Sequence, residues 1–237
     1  MTIILYCKMA AETILIIGES GRGKTTSLRN LNPEETFIIS TTSKPLPWKG
    51  WKKQFVKFDP KTNVEGNWFQ CSKSTALVTI IKYVSAKRPE IKNIVIDDIQ
   101  YAMAFEFMDR RKEKGFEKFN DIGGDFTDLL RVADTIRDDL KLIFTGHSEN
   151  VGDNMNEYWT LKTIGKMVKE KITPEGLFTY VFHAIVEEGD SGMEYKFLTN
   201  TNGTHVAKTP MGMFEDLKVD NDLAQILKTI DAYNEGE

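Results

Sequence analysis

Short, unbroken apolar runs punctuate this chain: Thr13-Ile14-Leu15-Ile16-Ile17, residues 36–40, Ile94-Val95-Ile96 and Leu142-Ile143-Phe144. Their length and β-branched content are those of strands buried on both faces of a parallel sheet. Between them the spacing turns helical. Over residues 74–87 the apolar positions Leu77, Ile80, Ile81 and Val84 fall at i, i+3, i+4 and i+7, and Pro89 ends the stripe. Residues 101–114 read as a helix rich in aromatics and methionine, Phe126, Leu129, Leu130, Ala133 and Ile136 as a second amphipathic helix, and residues 221–234 as a closing one. A short helix is predicted over 24–31, stopped by Asn32-Pro33.

Elsewhere the pattern is less regular. Residues 54–58 are predicted as a third strand, 41–50 as a loop, 115–125 as a polar break, and 148–173 as a long, lysine-bearing loop. Residues 177–187 and 194–199 flank Glu188-Gly189-Asp190-Ser191-Gly192 and read as an antiparallel hairpin. Alternating strands and helices followed by a hairpin imply one three-layer α/β domain whose mostly parallel sheet gains antiparallel edge strands. Ligands in such sheets bind beyond the carboxyl ends of the strands, which puts residues 18–25, Asp97, Asp98 and His147 on one rim.

Composition narrows the setting. The 237 residues suit one large domain, and 41% hydrophobic with 28% charged residues is ordinary for a globular chain. A net charge of −4 supplies no global field for nucleic acid or anionic membrane, so any DNA contact must be a local patch. Cys7 and Cys71 are too few for a disulfide framework or zinc site, which points to reduced thiols and a cytoplasmic location. No apolar run reaches the roughly eighteen residues that span a bilayer, so no membrane partner is expected. Met9-Ala10-Ala11-Glu12 has the form of a start, and residues 1–12 are expected to be an N-terminal extension.

The first apolar run leads into Gly18-Glu19-Ser20-Gly21-Arg22-Gly23-Lys24-Thr25-Thr26, which matches G-x-x-x-x-G-K-[ST] at Gly18, Gly23, Lys24 and Thr25. Glycines let successive backbone N–H groups turn inward around a phosphate chain, and the following helix adds partial positive charge. Lys24 would reach the β and γ phosphates and Thr25 would place its hydroxyl on Mg²⁺. The bland alternative is a glycine-rich turn with a solvated lysine. Asp97, closing a buried strand, is the candidate Mg²⁺ carboxylate; a solvated turn is its alternative. Asp98 either activates the attacking water or caps the next helix. His147 either senses the γ-phosphate or is structural, while His183 and His205 lack metal-ligand spacing. Arg110, Arg111, Lys114, Lys166 and Lys208 are candidates for a charge-neutralising cation, each equally readable as solvated.

These features together resemble the RecA-like branch of P-loop ATPases. Residues 18–25, Lys44-Pro45-Leu46-Pro47-Trp48-Lys49-Gly50 and Thr145-Gly146-His147 resemble, more narrowly, phage-encoded ATPases of single-strand annealing and recombination. That resemblance implies ATP and Mg²⁺ as ligands, hydrolysis coupled to assembly on single-stranded DNA, an ATP site shared between copies of the chain, and a single-strand-binding protein as a further partner. One departure stands out: the family's catalytic glutamate after the second strand is replaced by Thr41-Thr42-Ser43, which leaves the role to Asp98 or makes hydrolysis slow. For DNA, Trp48-Lys49-Gly50-Trp51-Lys52-Lys53 and residues 158–171 interleave aromatics with lysines, though the tryptophans could equally pack on the domain. Two other classes share the phosphate loop: a small-molecule or nucleotide kinase, with Arg110-Arg111 arming a lid, and a nucleotide-gated loader or binding module.

Overall fold

The computed structural model describes residues 10–153, 155–164, 168, 172–190 and 192–236. Its strands are β1 (Glu12–Gly18), β2 (Thr36–Ser40), β3 (Trp68–Gln70), β4 (Asn93–Asp97), β5 (Lys141–Asn150), β6 (Trp159–Leu161), β7 (Tyr180–Gly189), β8 (Gly192–Leu198) and β9 (Lys218–Asp220). They order as β3-β2-β4-β5-β1-β7-β8-β9, with β6 paired to β5. The run from β3 to β7 is parallel; β8, β9 and β6 join antiparallel. This is the predicted α/β class, a mostly parallel sheet with an antiparallel edge.

Strand alternation builds two cores. Leu15, Ile17, Phe37, Ile39, Ile94 and Ile96 point to one face, where α2 (Ser74–Lys87), α3 (Gln100–Asp109) and α4 (Glu117–Leu130) cover them. Ile14, Ile16, Ile38, Val95 and Ile143 point to the other, under Leu28 and Leu31 and the helix α5 (Leu223–Glu235). Because successive side chains alternate across a strand, one uninterrupted apolar run serves both layers. Among the described residues no helix is long and apolar enough to cross a membrane.

Several elements differ from expectation. The third strand is Trp68–Gln70, while residues 51–54 form a single helical turn, α1 (Trp51–Gln54). Phe55 and Phe58 are buried in opposite cores, but the backbone beside them bonds to residues 67 and 68, and β3 takes the edge of β2. The supposed polar break at 115–125 is mostly helix: α4 buries Ile122, Gly123, Phe126 and Leu129 on one stripe, and that burial outweighs the roughly 1 kcal/mol each of its two glycines costs. The stripe predicted through Ile136 stops at Leu130 and resumes as a 3-10 turn, Val132–Thr135. Helix α3 ends at Asp109 rather than near residue 114. The segment after the phosphate loop is a 3-10 helix, Thr25–Asn30.

The loop expected at 148–173 is partly ordered as sheet. Strand β5 continues through His147 to Asn150 and folds back as β6, pairing Ser148 with Leu161 and Asn150 with Trp159. Lys166, Lys169 and Lys171 lie outside the described residues, as do residues 1–9, including Cys7. At the N-terminal end, Ala11 is buried and Glu12 already belongs to β1.

Candidate nucleotide site

Strands β1, β4 and β5 are adjacent and parallel, so their carboxyl ends deliver residues 18–25, Asp97–Asp98 and Thr145–His147 to one place. They border a cavity of about 230 Å³, whose walls include Ser20, Gly23, Lys24, Thr25, Asp97, Asp98 and His147. Gly21 and Gly23 have φ of 80° and 85°, a region that other residues enter only with strain. Gly18 sits behind the cavity: a Cβ there would lie 2.7 Å from the Ala184 carbonyl oxygen on β7. Its own carbonyl accepts from Lys24 Nζ at 2.8 Å, and the Glu19 carbonyl does so at 2.9 Å.

Lys24 is thus folded onto the carbonyls of its own loop, with one of its three N–H bonds left for a ligand. Burial pulls its ammonium below the ordinary lysine range, against the opposing pull of Asp98 and Asp97. Glu19 and Arg22 face away from the cavity and pair with each other at 2.7 Å; Arg22 also donates to the Val186 carbonyl at 3.5 Å. Thr26 lines the cavity beside Thr25.

Asp97 is held by two hydroxyls. Thr25 Oγ1 donates to its Oδ1 at 3.0 Å, and Thr145 Oγ1 donates to the same oxygen at 2.7 Å. The Thr145 hydroxyl accepts from the Asp98 N–H at 2.9 Å, so its proton is committed to Asp97. Burial, followed by the neighbouring charge of Asp98, raises the Asp97 carboxyl to about 6 despite these donors and Lys24. Hydroxyl and carboxylate oxygens are the donors Mg²⁺ prefers, and a cation here would relieve the unfavourable ionisation of Asp97. The described residues contain no cluster of three or more His, Cys, Asp or Glu that could cage a metal. A Mg²⁺ at Thr25 and Asp97 would therefore complete its shell with water and phosphate oxygens, as this ion commonly does beside nucleotides.

Asp98 is the one non-glycine residue described with positive φ, at 63°. Thr41, buried beneath it, donates its hydroxyl to the Asp97 and Asp98 carbonyls at 3.0 and 2.8 Å and helps hold this turn. The strained backbone aims the carboxylate into the cavity, where His147 Nε2 lies 3.4 Å and Lys44 Nζ 3.8 Å away. Burial would raise the Asp98 carboxyl, but hydrogen bonding and electrostatic attraction from His147, with the charges of Lys24 and Lys44, hold it below the ordinary range. Tyr101, on α3, meets His147 edge-on and lies under Lys44.

Sequence reasoning assigned no role to Lys44 or Thr145. Lys44 sits in an irregular loop whose path has no periodic signal; Thr145 could have been found from its place next to Asp97 in the adjacent apolar strand. Of the candidate cations, Arg110, Arg111, Lys114 and Lys208 do not line the cavity of their own chain. Arg110 is bound to Glu113 and Asp121, both at 2.8 Å, and Lys208 pairs by backbone with Val181. Arg111 and Lys114 do not line the cavity, and Lys166 lies outside the described residues. Trp48 and Trp51 are partly buried against Phe55 and Trp68, so their faces serve the protein's own packing.

A protein-family model described as an AAA domain matches residues 10–211. The chain belongs to that family. The match takes in every residue that lines the cavity, from Ser20 to His147, and the phosphate-loop sequence and parallel sheet are those of a P-loop ATPase core. No curated protein matches the sequence. Among solved structures, a KaiC-like protein of the hyperthermophilic archaeon Pyrococcus horikoshii is 15% identical, with a TM-score of 0.46 over 86% of this chain and 84% of that one. The flagellar accessory protein FlaH of Methanocaldococcus jannaschii is 13% identical, with a TM-score of 0.43 over 80% and 78%.

Proposed function

We propose that this AAA domain is a Mg²⁺-dependent ATPase whose hydrolysis is coupled to single-stranded DNA in recombination, repair or replication, in the manner of the phage-encoded ATPases it resembles. The observation that carries the ATPase half is the hydroxyl–carboxylate chain Thr145–Asp97–Thr25 beside Lys24. In this reading the loop N–H groups and Lys24 bind the phosphates, Lys24 exchanging its loop carbonyls for phosphate oxygens. Thr25 and Asp97 orient the metal, which when bound would neutralise charge on the β and γ phosphates. With no glutamate at Thr41-Thr42-Ser43, Asp98 is the carboxylate placed to take a proton from water, and His147 and Lys44 fix its position. Among the described residues the cavity's lining cations are Lys24 and Lys44, and a neighbouring copy of the chain would supply any arginine the reaction uses. The kinase alternative gains nothing, because Arg110 of its supposed lid is tied to Glu113 and Asp121.

Support for the DNA half is positional. The β5–β6 hairpin grows from the strand that carries Thr145 and His147, and Lys166, Lys169 and Lys171 follow it in sequence. The hairpin itself holds Glu149, Asp153 and Glu157 against Lys162, so these later lysines would have to provide the attraction. ATP hydrolysis measured with and without single-stranded DNA, at low and moderate salt, tests both halves. Hydrolysis lost in Lys24→Ala supports the first half, and hydrolysis retained there overturns it. DNA that neither binds at low salt nor alters the rate overturns the second alone.

A further inference from the structure

Two side chains from different parts of the chain face the carboxylate of Asp98. His147 Nε2, from β5, lies 3.4 Å from its Oδ1, and Lys44 Nζ, from the irregular segment after β2, lies 3.8 Å from its Oδ2. Among the described residues, one ring meets both partners. The ring centroid of Tyr101, in the first turn of α3, is 6.0 Å from that of His147 with the planes at 70°, and Lys44 Nζ stands over the ring 5.6 Å from the same centroid. Tyr101 does not line the cavity, so any effect it has there passes through these two side chains.

The ring is itself held in place. Phe105, one helical turn further on, stacks against it at 5.2 Å with the planes 24° apart. The residues just before it tie the start of α3 to β5: the Ile99 N–H donates to the Thr145 carbonyl at 2.8 Å, and Gln100 Oε1 accepts from the His147 N–H at 3.1 Å. Gln100 is 6% exposed and its Nε2 has no hydrogen-bond partner, a cost in stability that the fold bears while the other end of the amide grips His147. Lys44 needs support of another kind. Its side chain is 65% exposed and long, and an aromatic face that attracts its ammonium narrows the range of positions it samples. The Tyr101 hydroxyl makes no hydrogen bond among the described residues, which leaves the ring as the part in use.

We propose that Tyr101 is a positioning residue for ATP hydrolysis, its ring the common support that holds His147 and Lys44 against the two oxygens of Asp98. The proposal rests on the reading of Asp98 as the group that takes a proton from water, and adds to it what keeps that carboxylate's two partners in place. A proton acceptor works only within hydrogen-bond reach of the water it serves, so loss of the support slows the reaction without weakening the grip on the phosphates.

Steady-state ATP hydrolysis by the full chain, with ATP affinity measured separately by calorimetric titration in Mg²⁺, tests the assignment. Tyr101→Leu should lower kcat about tenfold while ATP affinity stays within about twofold, and Tyr101→Phe, which keeps the ring, should hold kcat within about twofold of wild type. In a chain already carrying His147→Ala and Lys44→Met, adding Tyr101→Leu should change kcat by less than about twofold, because the side chains it acts through are gone. A Tyr101→Leu chain with wild-type kcat overturns the proposal, and so does one whose ATP affinity falls in step with kcat, since the damage would then be to the site as a whole. A Tyr101→Phe chain as slow as Tyr101→Leu, or a full further loss in the double-variant background, also overturns it. Asp98→Asn, assayed alongside, separates the two readings: an undiminished kcat there overturns Asp98 as the acceptor and the role of Tyr101 with it, whereas a loss there with none in Tyr101→Leu overturns Tyr101 alone. A wild-type chain that binds ATP without hydrolysing it overturns both.

Discussion

Thr25 Oγ1 lies 3.0 Å from Asp97 Oδ1, joining the first residue of the 3-10 helix to the last residue of β4 across 72 positions of sequence. The contact brings the two proposed metal-orienting groups together before any ligand arrives, and Thr145 holds the carboxylate from the other side. Replacing Thr25 with Ala leaves Asp97 its Thr145 hydrogen bond, so the fold should lose only about 1 kcal/mol. Mg²⁺-dependent ATP affinity should fall about tenfold or more, and Thr25→Ser should restore it. Titrations with and without Mg²⁺ check this: a Thr25→Ala chain with undiminished Mg²⁺ dependence would remove Thr25 from the metal's shell.

Asp98 presents a different case, because its backbone as well as its charge is specialised. Asparagine tolerates the left-handed region better than most residues, so Asp98→Asn should preserve the turn at φ 63° while removing the carboxylate. The expected result is a fall in kcat of about 10²–10³-fold, with ATP affinity within about threefold of wild type. His147→Ala, which removes a positioning contact only, should cost less. Steady-state hydrolysis over a range of ATP concentrations separates the two, and an Asp98→Asn enzyme with normal kcat would transfer the proton to another acceptor.

The parts of this fold that could be read in the sequence are those in which one local pattern decides the outcome. The apolar runs at β1, β4 and β5 are buried on both faces whatever surrounds them, and the glycine spacing at residues 18–25 shapes its own turn. Tertiary competition decided the rest. Phe55 and Phe58 look like strand residues, yet their segment joins the sheet only through the single bridge Lys57–Trp68 on β3, while the two rings are drawn into opposite cores. Gly123 and Gly124 suggest a break, and only the packing of Ile122 and Phe126 makes α4 continuous through them. Within the site, Asp97 was visible because it ends an apolar strand, whereas Lys44 arrives from a loop whose placement no periodicity encodes.

Gly18 allows a sharper stability test than the other loop glycines. A Cβ at Gly18 would press to 2.7 Å on the Ala184 carbonyl and 3.1 Å on the Ala184 Cβ, and both belong to the neighbouring strand β7. Because backbone cannot swing away as a flexible side chain would, Gly18→Ala should destabilise the fold by about 2 kcal/mol or more through forced separation of β1 and β7. Gly21→Ala meets no atom within 4 Å and should cost only the strain of its φ of 80°, about 1 kcal/mol. Thermal melts of the two variants give the order; equal losses would show that the β1–β7 contact is not the limiting one.

Two buried groups should pull the pH dependence of stability in opposite directions. Asp97 is raised from 3.8 to about 6 in the folded chain, so between those values the folded state binds the extra proton and acidification stabilises it. Above pH 6 the full cost of its ionisation remains. His183 is lowered from 6.5 to about 3, first by burial and then by the nearby His205, whose ring centroid is 4.5 Å away. There the unfolded state takes the proton, and stability falls as the pH drops from 6.5 towards 3. In the wild-type chain the two trends offset each other between about pH 4 and 6. Asp97→Asn should therefore raise the stability of the ligand-free protein at pH 7.5 by roughly 1–3 kcal/mol and steepen its loss below pH 6. His183→Phe should do the reverse in acid, leaving a chain that gains stability as the pH falls from 6 to 4.5. Urea unfolding at pH 4.5, 5.5 and 7.5 reads both slopes, and parallel curves for all three proteins would mean that neither group titrates differently on folding.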